Sequence, residues 1–148
     1  MIAAARSRIK QTAGELARPF RLSPQQFWVL VGIAEREGSS LGQLAARHHV
    51  DQPTASRVVT ALVGRGLVAA SGDPEDRRRF CLMLTPPGRR LAERLAPLAA
   101  KVRAAMVAGL STAEQELLDA SLRRIVANLE RFAVNERRLN ADGKEKKR

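Results

Sequence analysis

Short polar side chains and one arginine are spaced along a helical pattern in the middle of the chain. They are Gln52, Thr54, Ser56, Arg57 and Thr60, with Pro53 beside Gln52. Such side chains can donate hydrogen bonds to base edges and phosphates and accept them from bases, and a major groove is wide enough to admit a helix. An ordinary solvated helix face would have a similar composition. The helix alone therefore leaves a nucleic-acid contact and a plain surface as alternatives.

A run of charged side chains follows on the C-terminal side, and it consists of Glu75, Asp76, Arg77, Arg78 and Arg79. The preceding Gly72, Asp73 and Pro74 favour a turn. Arginines at the tip of a hairpin fit a minor groove, because the narrow groove concentrates negative potential. Asp76 could hold the Arg78 guanidinium in place through a charge-assisted hydrogen bond. A plain surface turn needs no such run of arginines, so we favour a hairpin tip that contacts DNA.

Two short helices must position the first set of side chains. Ser40 and Gln43 form a capping box at the start of a helix that runs to about His48, and Asp51 can cap a second helix that closes at Gly66. Two helices joined by so short a turn pack at a steep angle, as in a helix-turn-helix motif. The residues of the second helix that we expect to face inward are Ala55, Val58, Val59 and Leu62. We add Ser40 to the candidate DNA-contacting residues.

Two β-like segments must position the second set of side chains. The pattern predicts strands over residues 67–71 and 79–84, on either side of the charged run. We term this hairpin, residues 67–84, the wing. It follows directly after the second short helix, so the two sets of polar side chains belong to one lobe.

Long helical patterns flank this lobe. Apolar residues recur every seven positions in a first helix to about Arg18, and a nearly all-apolar helix covers residues 24–37. Two further helices, which start after Thr85 and Ser111, carry apolar residues at alternating spacings of four and three. Their apolar faces exceed what one small lobe needs to cover itself. We therefore expect a twofold partner.

The predicted fold is mainly α-helical with a small β-hairpin wing: a winged helix-turn-helix with long dimerisation helices. Residues 1–20 and 86–135 form the predicted helical dimerisation region, and residues 21–85 form the predicted DNA-binding lobe. Residues 136–148 are basic and poor in apolar side chains, which predicts a disordered tail.

The composition limits the partners and the compartment. The chain has 148 residues, with 26 Lys and Arg against 15 Asp and Glu, and its net charge of +11 favours a polyanion such as nucleic acid or an anionic membrane surface. The N-terminus lacks the apolar core of a signal peptide, and no apolar stretch is long enough to span a bilayer. Cys81 is the single cysteine, which excludes an intrachain disulfide. We expect a cytoplasmic protein with no membrane partner.

Catalytic patterns are missing from the sequence. Paired carboxylates, a glycine-rich phosphate loop and a Cys/His constellation do not occur at usable spacing. The adjacent His48 and His49 point in different directions on a helix, which is poor spacing for metal ligands. We predict a cationic role for them at the helix C-terminus instead. The sequence therefore predicts no metal site, no cofactor and no enzyme.

Several segments, in this order and spacing, carry a resemblance to a known family. They are Leu22 to Phe27, Leu44-Ala45, Thr54 to Val59, Gly66 to Val68, and Asp73 to Arg78 followed by Leu82-Met83-Leu84-Thr85 and Gly88. Over about residues 20–130 the chain resembles the MarR family of winged-helix transcriptional regulators. The resemblance implies an obligate homodimer on a pseudo-palindromic double-stranded DNA site, with the helix near Gln52 in the major groove and Arg78 in the minor groove.

The resemblance also implies release from DNA by a small phenolic or other aromatic ligand, or by oxidation. The family's effector pocket lies near the helix that carries Trp28, so Trp28 and Phe20 are candidate contacts for an aromatic effector. Core packing is the alternative role of both rings. The N-terminal cysteine of peroxide-sensing members is absent, which argues against redox sensing. The first helix starts later than is usual in the family, which implies a shorter dimer interface.

The leading function is a homodimeric, sequence-specific regulator of transcription that binds double-stranded DNA and acts as a ligand-responsive repressor. The alternative is a winged-helix module without specific DNA binding that uses its basic face on a protein or a membrane. Specific recognition of a palindromic site distinguishes the two.

Overall fold

The predicted winged helix-turn-helix is present in the structure, a computed structural model that describes residues 1–72 and 80–145, and the side chains of residues 1–72 and 81–136. The elements in chain order are α1 Ile2–Ala17, α2 Pro24–Glu35, β1 Ser39–Ser40, α3 Leu41–Arg47, α4 Gln52–Gly64, β2 Val68–Gly72, β3 Phe80–Leu84, α5 Pro86–Met106 and α6 Thr112–Glu145. One turn of 3-10 helix, Arg18–Phe20, follows α1. The mainly α-helical fold with a small sheet confirms the predicted class.

Side-chain caps set the starts of α2 and α3. Ser23 Oγ accepts the Gln26 backbone N–H at 3.1 Å, and the Gln26 side chain accepts the Ser23 N–H at 2.9 Å. Ser40 and Gln43 repeat this arrangement at the start of α3, at 3.2 and 2.9 Å. These bonds satisfy amides that have no partner inside a helix. The predicted capping box at Ser40 is therefore confirmed, and Ser23 forms a second one.

A third strand joins the two predicted ones. β3 is the central strand of a sheet with the order β1-β3-β2, and Ser39 of β1 lies opposite Leu82 in an antiparallel pair. β1 has only two residues, which is too short for an alternating pattern to predict. Gly38, with a φ of 79°, turns the chain from α2 into β1. As a result α2 ends at Glu35 rather than near Glu37.

The core of the first compact unit, residues 1–106, is built around α2. Phe27, Leu30 and Ile33 on this helix are fully buried, because α2 packs against α1, α4 and α5. The buried residues of α1 are Ala13 and Ala17, whose small side chains allow a close approach. The nearly all-apolar helix that the sequence predicts over residues 24–37 is therefore present as α2, with half of its residues buried.

Thr85 and Gly88 join the end of α4 to the start of α5. Thr85 Oγ1 donates to the Gly66 carbonyl at 2.6 Å and accepts the Gly88 backbone N–H at 3.1 Å, so it caps α5. Gly88 lies directly against the Leu67 carbonyl, and a Cβ at this position would collide with it. Thr85 and Gly88, three positions apart, therefore allow the start of α5 to lie close to the backbone at Leu67.

α6 belongs to a second unit, residues 107–148. Its exposed apolar side chains include Leu118, Leu122, Ile125, Leu129 and Phe132. The helix continues to Glu145, whereas the sequence predicts a disordered tail from residue 136; the Ala, Leu, Glu, Arg and Lys residues of this segment are good helix formers. Among the helices that the structure describes, none is long and apolar enough to cross a membrane.

Candidate nucleic-acid interface

α4 has one buried face and one exposed polar face. Ala55, Val59 and Leu62 are buried, because positions three and four apart share one side of a helix. The candidate contact residues that are exposed on this helix are Gln52, Pro53, Ser56, Arg57 and Thr60. α4 therefore presents a row of short polar side chains and one arginine to a partner.

Asp51 organises the first turn of α4. Its Oδ1 accepts the Thr54 backbone N–H at 2.7 Å, and its Oδ2 accepts the Thr54 hydroxyl at 3.0 Å. Both hydrogen bonds favour the ionised carboxylate and lower the pKa of Asp51. Thr54 Oγ1 in turn accepts a hydrogen bond from Arg57 Nη2 at 3.2 Å. The hydroxyl of the half-buried Thr54 therefore bonds to Asp51 and Arg57 of the same segment, and it orients the Arg57 side chain.

The starts of α3 and α4 lie side by side. Ser40 is half-buried, and its Oγ is engaged as the cap of α3 by the Gln43 backbone N–H. The Gln52 side chain lies beside α3, since a Cβ built on Gly42 would be 3.5 Å from Gln52 Nε2. The structure therefore brings Gln52, at the first position of α4, to the edge of the preceding helix.

The two wing strands extend from the core. They pair from Val68 opposite Leu84 to Gly72 opposite Phe80, and Val68 is buried whereas the rest of β2 is exposed. The candidate residues at the tip lie outside the described residues, and they are Asp76, Arg77, Arg78 and Arg79. Their contact with DNA stays a prediction.

His48 follows α3 and packs against α2. A Cβ built on Gly32 would collide with the imidazole, and His48 Nε2 is buried with no hydrogen-bond partner among the described residues. Burial disfavours the charged ring and, together with the neighbouring Arg47, lowers the pKa of His48. The predicted cationic role is therefore wrong for His48. Across the described part of the chain, no three His, Cys, Asp or Glu side chains are grouped in a way that could hold a metal.

A cavity of about 490 Å³ that is open to solvent lies between α2 and α5. Its lining consists of small and apolar side chains and one ion pair: Val31, Ala34, Glu35, Ala92, Ala96, Ala100 and Arg103. Glu35 Oε1 accepts hydrogen bonds from both terminal nitrogens of Arg103, at 2.9 and 2.7 Å. The cavity therefore combines an apolar wall with a guanidinium that already binds a carboxylate.

Phe20 and Trp28, the candidate ligand contacts, are placed differently with respect to this cavity. The Arg103 guanidinium lies 5.7 Å from the centroid of the Trp28 ring, which is a cation–π contact. Trp28 also packs edge-on against Phe27, with the ring centroids 5.0 Å apart. The Phe20 ring instead faces the Arg94 guanidinium at 4.9 Å. Trp28 is thus linked to the cavity through Arg103, and Phe20 contacts a different arginine.

Two ion pairs that involve the end of α2 could not be found from sequence spacing. Glu35 pairs with Arg103 at 2.7 Å, and Glu37, just after the helix, pairs with Arg89 at 2.9 Å. The partners are 68 and 52 residues apart in the chain. Charge patterns along one helix predict pairs only at spacings of three or four, so only the fold reveals these contacts.

A helix-turn-helix with an exposed polar second helix and a wing after it defines a winged-helix protein of the DNA-binding type. The profile of the MarR family matches residues 22–80. A Thauera aromatica protein whose description links it to transcriptional regulation of the hcr operon is 32% identical over 116 residues, which cover 78% of this chain and 70% of that protein. The chain belongs to the MarR family of transcriptional regulators.

Two further relatives are similar over most of the chain. The HTH-type transcriptional repressor NicR of Pseudomonas putida is 30% identical over 106 residues, covering 72% of this chain and 67% of NicR. The structure of Bordetella bronchiseptica BpsR, whose DNA binding is regulated by 6-hydroxynicotinic acid, has 30% sequence identity and a TM-score of 0.71, covering 84% of this chain and 89% of BpsR. One of these relatives is thus a transcriptional repressor, and the other is a DNA-binding protein that responds to a small molecule.

The burial of His48 predicts a pH dependence of stability. Because burial lowers the pKa of His48, the native protein binds fewer protons than the unfolded chain once the pH falls below the ordinary histidine pKa of 6.5. The free energy of unfolding therefore decreases as the pH falls. Urea unfolding between pH 7.5 and 5.5 should therefore show a smaller decrease for His48→Gln than for the wild-type protein. Gln25→Ala, which changes an exposed side chain of α2, is the control and should keep the wild-type decrease. An equal decrease in all three proteins would contradict the account.

Proposed function

We propose that this protein is a homodimeric, sequence-specific repressor of transcription that binds a pseudo-palindromic site in double-stranded DNA and responds to a small aromatic ligand. The observation that carries the proposal is the exposed polar face of α4, whose first turn is held by Asp51. Its side chains have the sizes and hydrogen-bonding groups that base recognition requires. Because it acts on DNA, we place the protein in the cytoplasm.

α4 is the proposed recognition helix, with its first turn in the major groove. The Gln52 amide can donate a hydrogen bond to adenine N7 and accept one from the adenine N6 amino group, and Ser56 adds a hydroxyl. Arg57, oriented by Thr54, suits a guanine edge or a phosphate. The wing follows α4 in the chain, and its Arg78 is the proposed contact in the adjacent minor groove.

Two copies of the chain form the proposed binding unit. α6 exposes large apolar side chains, among them Leu129 and Phe132 at 62% and 63% of their surface. Such a row of exposed apolar residues on one helix suits a partner protein rather than water. Two lobes placed one turn of DNA apart, about 34–36 Å, would each contact half of a palindrome. The pair supplies the contacts that one helix and one wing lack.

The cavity between α2 and α5 is the proposed ligand site. Its apolar wall suits an aromatic ring, and Arg103 suits a carboxylate that takes the place of Glu35. A volume of about 490 Å³ is in the range of small-molecule pockets. The similar BpsR is regulated by 6-hydroxynicotinic acid, which is an aromatic acid of this kind. Because α2 also packs against α4, a ligand between α2 and α5 can displace the recognition helix.

Repression is supported by the similarity to the repressor NicR. The second candidate function is a winged-helix module that uses its basic surface on a protein or a membrane, and the net charge of +11 fits either function. Charge alone produces binding that depends on salt but not on sequence. The dependence of binding on base sequence therefore distinguishes the two functions.

Replacement of Gln52 tests the recognition helix. Gln52→Ala should cost roughly 1–3 kcal/mol in binding to a site selected from random duplexes, and much less on scrambled DNA, because only the selected site offers a matching base edge. Fluorescence anisotropy at constant salt measures both affinities. Gln25→Ala, the same change at an exposed position of α2 that is not a candidate DNA contact, should leave both affinities unchanged. Equal losses on both duplexes would show that Gln52 contacts phosphate instead.

Replacement of Arg103 tests the ligand site. If a carboxylate pairs with this guanidinium, Arg103→Ala should weaken binding of 6-hydroxynicotinic acid about 10-fold or more, since a hydrogen bond to a charged group contributes roughly 1.5–3 kcal/mol. Isothermal titration calorimetry of the protein without DNA measures the affinity. Lys101→Ala removes a positive charge from an exposed position of the same helix and serves as the control. Equal binding by both variants would refute the site, and lack of binding to the wild-type protein would refute this ligand class.

A further inference from the structure

Glu37 connects three elements at the base of the wing. It lies between α2 and β1, and its side chain is 23% exposed. Its Oε1 accepts the Leu84 backbone N–H at 3.0 Å. The same carboxylate binds Arg89 Nη2 through both oxygens, at 3.0 and 2.9 Å. One side chain therefore contacts the last residue of β3 and the first turn of α5.

The Glu37 carboxylate supplies a hydrogen-bond acceptor to β3 beyond the end of the short strand β1. β1 pairs with β3 only at Ser39 and Ser40, and the Gly38 N–H donates to the Leu82 carbonyl at 3.0 Å before the chain turns away. Because β1 does not extend opposite Leu84, no strand carbonyl among the described residues accepts the Leu84 N–H on that side of β3, and this group needs another acceptor. Glu37 supplies it, and a charged acceptor makes the stronger hydrogen bond. The end of β3 is thereby fixed to the segment between α2 and β1.

The opposite side of the same joint is fixed to α4. The Thr85 N–H donates to the Leu67 carbonyl at 3.2 Å, and the Thr85 hydroxyl donates to the Gly66 carbonyl at 2.6 Å. Gly66 and Leu67 lie in the short connection between α4, which ends at Gly64, and β2, which begins at Val68. The base of the wing is therefore held on one side by the end of the recognition helix and on the other by Glu37 and Arg89.

Small rotations at this joint would move the wing far. β3 has five residues, which span roughly 17 Å at about 3.3 Å per residue. A rotation of about 10° at its base would shift its far end by roughly 3 Å over that length. The minor groove is only about 6 Å wide. The direction of the wing must therefore be held closely if its tip is to enter the groove while α4 lies in the major groove.

We propose that Glu37 and Arg89 are positioning residues for DNA binding, which set the direction of the wing relative to α4 without contacting DNA themselves. The proposal rests on the proposed function, because it requires a wing that enters the minor groove. It assigns Glu37 the larger role, since Glu37 holds both β3 and α5. Arg89 acts through Glu37 by fixing the carboxylate.

The test uses Glu37→Gln, Arg89→Gln and the double variant in the full chain, on a DNA site selected with the wild-type protein. Glu37→Gln should lower the affinity for this site at least fivefold. Hydroxyl-radical protection of the minor groove should weaken at the wing positions, while methylation protection of guanines in the major groove remains. The double variant should lose no more affinity than the weaker-binding single variant, because both changes release the same joint.

The control is Glu93→Gln, which removes the same charge at an exposed position of α5 and should keep affinity and both protections within twofold of wild type. A wild-type minor-groove footprint in Glu37→Gln and Arg89→Gln would overturn the inference. A parallel loss of protection in both grooves would also overturn it, because that result indicates a general structural role.

Arg89→Gln keeps the test decisive if Glu37→Gln fails to fold. The Arg89 side chain is 53% exposed, and loss of such a pair costs little stability. If the wild-type protein protects no specific DNA site, the result contradicts the proposed function rather than this inference. If the wild-type protein and the variants all protect both grooves of the site, the result contradicts this inference alone.

Discussion

Burial of α2 is the constraint on which the rest of the structure depends. Phe27, Leu30 and Ile33 have no exposed surface, and each contributes about 1.5–3 kcal/mol relative to an exposed side chain. Because α1, α4 and α5 all pack on this helix, its position determines theirs. α4 packs one face against α2 and leaves its other face exposed. Stability and the proposed DNA contact thus use opposite sides of α4.

Polar groups act at the boundaries between elements rather than in the core. Ser40, Asp51, Thr85 and Glu37 each accept a backbone N–H at the end of a helix or strand. One such bond adds little to stability, but an unpaired buried amide costs more. These bonds therefore fix where each element begins and how it is directed. The proposed effect of a ligand follows from the same arrangement, because the α2–α5 cavity lies beside the helix that orients α4.

Local patterns predict much of this architecture, and the remainder depends on contacts between distant residues. The capping box at Ser40 could be predicted because its bonds span three residues, and the inward face of α4 follows from helical periodicity. The pair of Glu37 with Arg89 could not, because its partners are 52 residues apart. Burial of His48 likewise depends on Gly32 of another helix. The roles of the wing arginines and of α6 in a dimer stay predictions, since they require DNA and a second chain.

Selection from a library of random duplexes, followed by the mass and affinity of the resulting complex across a salt series, tests the central claim most directly. We expect a palindromic site that binds two chains at least 100-fold more tightly than scrambled DNA. The difference should be preserved as salt rises, because base contacts are screened less than phosphate contacts. Equal and steeply salt-dependent binding to both duplexes would contradict it. That result would leave only a basic surface and would favour an interaction module without specific DNA binding.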